Sequence, residues 1–413
     1  MNKLYLVIPV LYFTFLISGC SSGLDTPDTI VSPPVTTPVS DADALTTVNV
    51  KTYMVDASAT AETVALFYNL KKLAKTKFAI GQQDAFNSFY NNGSSSMSDI
   101  KKTTGNDPAL LGSDFMFITD KNNTGQNDNW FYQQEKKITE DAKQAYAKGM
   151  INVFCWHLRE PNKEDSFYAN DMSAAEKATA FKSILPGGSK HDWYKLKLDK
   201  IASVISNLKG SNGELIPVIF RPFHEFDGNW FWWGADYCSP EDYKTGFQFT
   251  VNYLKNSKGL HNVLYAFSPD NTYTTSANYL SRYPGDPFVD VLGMDNYGDF
   301  NNQGQAGSDR ANSKLKMVSD LAKSKVKIAA LTETGYQVTT TNTPISGWFS
   351  NYLYNALTAN NVEISFVMFW NNTRDGYYVP TPSVSNAPDF TSFTSKPKSV
   401  LVNTLPKMYE LPN

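Results

Sequence analysis

Eight short apolar runs recur along this chain, bounded by polar residues and mostly separated by stretches of helical periodicity. They read KFAIGQQ (77–83), ALLGSDF (109–115), MINVFCWH (150–157), IPVIFRPFHE (216–225), NVLYAFSP (262–269), FVDVLGMDNY (288–297), KIAALTETG (327–335) and EISFVMFWN (363–371). A near-continuous apolar run predicts a strand buried on both faces, hence a parallel sheet covered by helices. TAETVALFYNLKKLAK (60–75), DWYKLKLDKIASVISNLKG (192–210) and SKLKMVSDLAKSK (313–325) carry the helical spacing that such a cover needs. Eight units predict an α/β fold, a (β/α)8 TIM barrel forming a single catalytic domain over residues 50–413. The competing open, doubly wound sheet usually carries a Gly-rich phosphate loop after an early strand, and neither GxGxxG nor GxxxxGK[ST] occurs.

The first residues, MNKLYLVIPVLYFTFLISGC, place Lys3 before an apolar stretch and Ser18-Gly19-Cys20 after it. That pattern predicts a lipoprotein signal peptide over residues 1–19, too short and wrongly flanked for a membrane span. Cys20 is then the lipidated residue. The Ser, Thr, Pro and Asp that follow make residues 20–49 a disordered tether. The expected location is extracytoplasmic, as a membrane-anchored bacterial lipoprotein. Cys155 and Cys238 are too few for a disulfide framework and are expected to be free.

A net charge of −3 without a long basic cluster excludes the electrostatic footprint of a nucleic-acid binder. Aromatics make up 14% of the chain, many beside Asn, Asp and Gly, a composition suited to flat ligands with polar edges such as sugars.

In a barrel of this kind the functional residues lie at the C-terminal ends of the strands. Strand three leads to His157, strand four to Arg221, His224 and Glu225, strand six to Asp295 and Tyr297, strand seven to Glu333 and strand eight to Trp370. Glu225 and Glu333 come from well-separated strands and can face one cleft, as glycoside hydrolysis requires of an acid and a nucleophile or base. Glu225, beneath the aromatics of RPFHEFDGNWFWWG and opposite a second carboxylate, is expected to hold its proton. Glu333 is expected to be ionised, with Tyr297 as a hydrogen-bond donor. His224 and Arg221 are expected to orient the site and contact the sugar, and Trp230 to offer it an aromatic face. Phe231, Trp232 and Trp233 read equally well as core aromatics under a loop. Asp295 shares a strand face with Tyr297, whereas Asp290 faces the other way and reads as structural. His157, His191, His224 and His261 form no HExxH or HxH pair, so neither metal nor cofactor is expected.

At these residues the chain resembles glycoside hydrolase family 26, chiefly bacterial β-mannanases. RPFHE (221–225) is similar to the family's strand-four signature, YPGDPFVDVLGMDNY (283–297) to its strand-six block and TETG (332–335) to its nucleophile segment. GQQD (81–84) is a looser match, with Gln82 where the family has histidine. The resemblance implies endo-cleavage of β-1,4-mannan or galactomannan by retaining double displacement, with Glu225 as acid/base and Glu333 as nucleophile. It also implies that His157, Arg221, His224, Trp230, Asp295, Tyr297 and Trp370 line the subsites. Some members grip the next sugar with an arginine after the strand-eight tryptophan; here that position is Asn371, and Arg374 is the nearby substitute. The family also includes xylan and mixed-linkage glucan hydrolases, and a binding lipoprotein that lost catalysis is the reading from another class. A monomer is expected.

Overall fold

A computed structural model describes residues 45–86 and 97–412 of the protein. The expected signal peptide, Cys20 and the tether up to residue 44 lie outside them. The strands are β1 (Phe78–Gln83), β2 (Leu110–Asp114), β3 (Ile151–Cys155), β4 (Val218–Arg221), β5 (Val263–Phe267), β6 (Val291–Asn296), β7 (Ile328–Thr334) and β8 (Phe366–Phe369). Every neighbouring pair is parallel, and β1 pairs with both β2 and β8, closing the (β/α)8 barrel. A two-residue strand that the apolar pattern does not announce, β9 (Ser399–Val400), runs alongside the start of β1.

Alternation along each strand sorts the core into two layers. Ala79, Val153, Ile219, Ala330 and Met368 belong to a cluster that also contains Leu66, Phe67 and Leu70 of the helix Ala61–Ala74. Phe78, Phe154, Phe220, Leu331 and Val367 belong to the larger cluster, shared with the surrounding helices. That cover includes Trp130–Ala147, Ala174–Ile184, His191–Asn207, Pro240–Asn252 and Gly304–Lys325. Asp290 belongs to this framework: its two carboxylate oxygens accept the backbone N–H groups of Val55 at 2.8 Å and Tyr265 at 3.0 Å.

Two irregularities shape the barrel mouth. The apolar run suggests a fourth strand reaching Glu225, but β4 ends at Arg221 because Pro222 has no N–H to continue a ladder. Phe223 and Glu225 then adopt φ of 51° and 53°, a left-handed conformation uncommon outside glycine. The Glu225 N–H donates to the Ser268 carbonyl at 2.8 Å, tying this turn to the end of β5. In β7, Leu331 pairs with Met294 and Glu333 with Asp295, so β7 carries one residue more than β6. The same surplus appears against β8, where Leu331 pairs with Val367 and Thr334 with Phe369. A bulge of this kind re-aims side chains. Here consecutive residues Thr332 and Glu333 both reach the same interior network, which strict alternation forbids.

Candidate active site

The mouth holds a cleft of about 480 Å³ lined by His157, Tyr168, Glu225, Trp230, Phe231, Tyr297, Glu333, Trp370 and Tyr378, among others. One side of it is a fully donated acidic network. Arg221 spans Asp295 and Glu333, its Nη2 donating to Asp295 Oδ2 and its Nη1 to Glu333 Oε1 at 2.9 Å. Its Nε also donates to Ser268 Oγ at 3.2 Å. Thr332 Oγ1 donates to Asp295 Oδ1 at 2.6 Å, and the Tyr297 hydroxyl donates to Glu333 Oε2 at 3.1 Å. These donors suit a negative charge on Glu333. Arg221 and Asp295 are almost wholly buried, beneath the cleft floor. Gly293 makes room for the network, since a Cβ there would stand 2.5 Å from Ser268 Oγ and 2.6 Å from Thr332 Oγ1.

Glu225 has a different setting. Its carboxyl group accepts a hydrogen bond from the Trp230 indole N–H to Oε2 at 2.7 Å. Burial first, then the charges of Glu333 and Asp295, push its proton affinity well above the usual carboxylate range, with the Trp230 donor pulling the other way. Trp230 itself is seated over Gly228, where a Cβ would stand 2.2 Å from the ring. One oxygen from each of Glu225, Asp295 and Glu333 lies within 4.8 Å of the others, so the two glutamates meet over one point in the cleft.

The two histidines divide in proton affinity. Burial would lower His157, but the charge of Asp114 and a 2.6 Å hydrogen bond from Nδ1 to Asp114 Oδ2 outweigh it and raise its proton affinity. His224 lies edge-on to it, ring centroids 4.7 Å apart, and is held neutral by burial and by the charges of His157 and Arg221. Both His224 ring nitrogens lack a hydrogen-bond partner among the described residues, an unusual condition for buried polar atoms, and Nε2 lies 4.0 Å from Glu333 Oε1. His224, expected from the sequence to contact the sugar, is thus a buried ring behind the lining of the cleft.

Of the aromatics after Glu225, Trp232 and Trp233 are core. Their indole N–H groups donate to the carbonyls of Leu158 at 2.8 Å and His224 at 2.7 Å. Phe231 turns to the cleft and packs on both His157 and His224. Cys155 and Cys238 are free and buried. Asp114, Cys155 and His157 also bring ligand atoms within 4.8 Å of one another. Burial holds the Cys155 proton firmly, and Asp114 already occupies His157 Nδ1, so this group is poorly disposed to take a metal. In the carboxylate group Arg221 supplies the positive charge that a cation would bring.

Beyond His157, Tyr168 and Trp370 the cleft continues into a cavity of about 190 Å³ lined by Asp84, Asp114, Phe117, Asp141 and Asn371. Burial, Asp114 and Asp141 push Asp84 up to about 7. Asn371 Nδ2 lies 3.5 Å from Asp84. Arg374, the expected substitute at this position, instead points to solvent with an 89% exposed side chain beside Asp375.

Asp114, Tyr168 and Tyr378 are among the residues of this site that the strand-end reading passed over. Asp114 closes the run ALLGSD and carried the same signal as the others; Tyr168 comes from a long connection and carried none.

Comparison with known proteins bears on this geometry. The model of glycosyl hydrolase family 26 matches residues 55–358. A mannan endo-1,4-beta-mannosidase of Bifidobacterium adolescentis is 34% identical over 84% of this chain and 35% of its own length. One from Bacillus subtilis is 27% identical over 48% of this chain and 53% of its own. The chain thus spans a third to a half of these relatives. Among solved structures, GH26C from Muricauda sp. MAR_2010_75 is 57% identical, covering 89% of this chain and 99% of its own, with a TM-score of 0.88. The GH26 beta-mannanase BoMan26A of Bacteroides ovatus is 33% identical over 85% and 98%, with a TM-score of 0.77.

Proposed function

The chain belongs to glycosyl hydrolase family 26, and from that premise we propose that it cleaves internal β-1,4-mannosidic bonds of mannan or galactomannan with retention of configuration. The observation that carries this reading is the approach of Glu225 and Glu333 oxygens to within 4.8 Å. Retaining enzymes hold their carboxyl groups about 5 to 5.5 Å apart, whereas inverting ones leave room for a water at about 6.5 to 9.5 Å.

In this mechanism Glu333 attacks the anomeric carbon while Glu225 donates its proton to the departing glycosidic oxygen. A glycosyl ester forms on Glu333 and the aglycone leaves as an alcohol. Esterification removes the Glu333 charge that helped Glu225 keep its proton, so Glu225 becomes able to take one from water. That water attacks the same carbon, the ester bond breaks, and both glutamates return to their starting states. Arg221 remains paired with Asp295 throughout, so no buried charge is left alone when Glu333 is neutralised. Trp370 and Tyr297 at the cleft wall bind the sugar, and neutral His224, buried with Nε2 4.0 Å from Glu333, orients the site.

Release of reducing ends from β-mannan, xylan and mixed-linkage glucan tests the sugar. Proton NMR of the first product tests the stereochemistry, with the β-anomer expected and early accumulation of the α-anomer contradicting retention. We further propose that the enzyme is a monomer tethered outside the cytoplasm through a lipid on Cys20; Cys20→Ala should move it from the membrane to the soluble fraction.

A further inference from the structure

The cavity beside the cleft is lined by Tyr168, which also lines the cleft, and by Phe117, whose ring makes further aromatic contacts. Phe117 meets Trp130 at a centroid distance of 5.0 Å and an interplanar angle of 77°. Phe131 meets the same indole at 5.0 Å and 88°. Trp130 opens the helix Trp130–Ala147, whose start is capped by Asn129 Oδ1 accepting the Tyr132 N–H at 3.0 Å. Its ring is thus clasped by two edge-to-face contacts while 47% of the residue stays exposed. By contrast Trp156, Trp232, Trp233 and Trp348 are all but fully buried. A large apolar ring already held in place loses little freedom when something covers it. Exposed Gln126 and Asp128 lie just before it in the chain and supply polar groups nearby.

A flat apolar face with a hydrogen-bonding rim fits the C–H face and hydroxyl edge of a pyranose. Shared residues link the glutamates to this indole: Tyr168 borders both cleft and cavity, Phe117 borders the cavity, and Phe117 touches Trp130. We infer that Trp130 is a distal stacking platform for the polysaccharide substrate, engaged by sugar units beyond the cavity and therefore by long chains only. This rests on the hydrolase reading above for its ligand class, a β-linked pyranose polymer.

The test is affinity electrophoresis of the full chain in gels containing galactomannan, xylan or mixed-linkage glucan, with kcat/KM on the shortest oligosaccharide that the enzyme cleaves. Trp130→Ala should raise Kd for the polymer by roughly three- to tenfold, the factor expected of one aromatic contact. Trp130→Phe should recover most of the loss. Turnover of the short oligosaccharide should not change in either variant. An unchanged polymer Kd in Trp130→Ala, or a parallel loss on the short substrate, would overturn the platform. If the parent chain is retarded by xylan or glucan and not by galactomannan, the mannan reading fails while the platform is still decided on the polymer that binds.

Discussion

The two walls of the cleft present the same side chain in opposite settings. On the β6–β7 wall Glu333 sits in a network where Arg221, Tyr297 and Thr332 supply donors to the buried acids. On the β4 wall Glu225 lies among aromatic rings with the Trp230 N–H as its donor. Burial and the facing acids raise the proton affinity of Glu225, while donors surround Glu333, without any difference in covalent chemistry. The contrast teaches that the division of labour proposed for the glutamates rests on their neighbours, and that changing a neighbour should blur it.

The largest expected effect comes from removing the proposed nucleophile. Glu333→Ala should lose roughly 10⁴-fold or more in kcat on every substrate, since no leaving group compensates for an absent nucleophile; substantial turnover of an activated aryl glycoside would reassign the role. Glu225→Ala should lose about 10²- to 10⁴-fold on polysaccharide, while glycosyl-enzyme formation from an aryl glycoside with a good leaving group is largely spared. Equal loss on both substrates would make the two walls equivalent.

Next comes stability. Arg221→Met removes the cation between two buried acids, and breaking a buried pair in this way costs about 3 to 5 kcal/mol. Urea unfolding should show it, and an unchanged midpoint would mean that Asp295 and Glu333 do not need the guanidinium.

The smallest expected effect is a shift in pH dependence. The Trp230 N–H favours the charged form of Glu225, so Trp230→Phe should raise its proton affinity further. Activity that needs protonated Glu225 is lost as pH rises through that value, so the basic limb of the kcat/KM profile should move to higher pH. A shift to lower pH would contradict the assignment.

Much of this contrast is legible in the chain itself. Glu225, Tyr297 and Glu333 stand at or just beyond the ends of apolar runs, and period-two alternation separates inward Asp295 from structural Asp290. The β7 bulge is not legible, because a bulge is a property of pairing with β6 and β8 and leaves no mark in one strand's residues. Nor is the early end of β4, although Pro222 was the clue. The apolar run continued past it into Phe223, whose side chain belongs to the core even though its backbone has left the sheet. Trp232 and Trp233 were undecidable by composition; their indole partners, the carbonyls of Leu158 and His224, are set only by the folded loop.

The most direct measurement is a carboxyl titration of Glu225, by isotope-edited infrared or NMR, in the parent and in Glu333→Gln. Glu225 should titrate well above the ordinary carboxylate range in the parent and fall in the variant, because the Glu333 charge is gone while burial remains. An ordinary value in the parent, or the same value in both proteins, would contradict the coupling of the two walls.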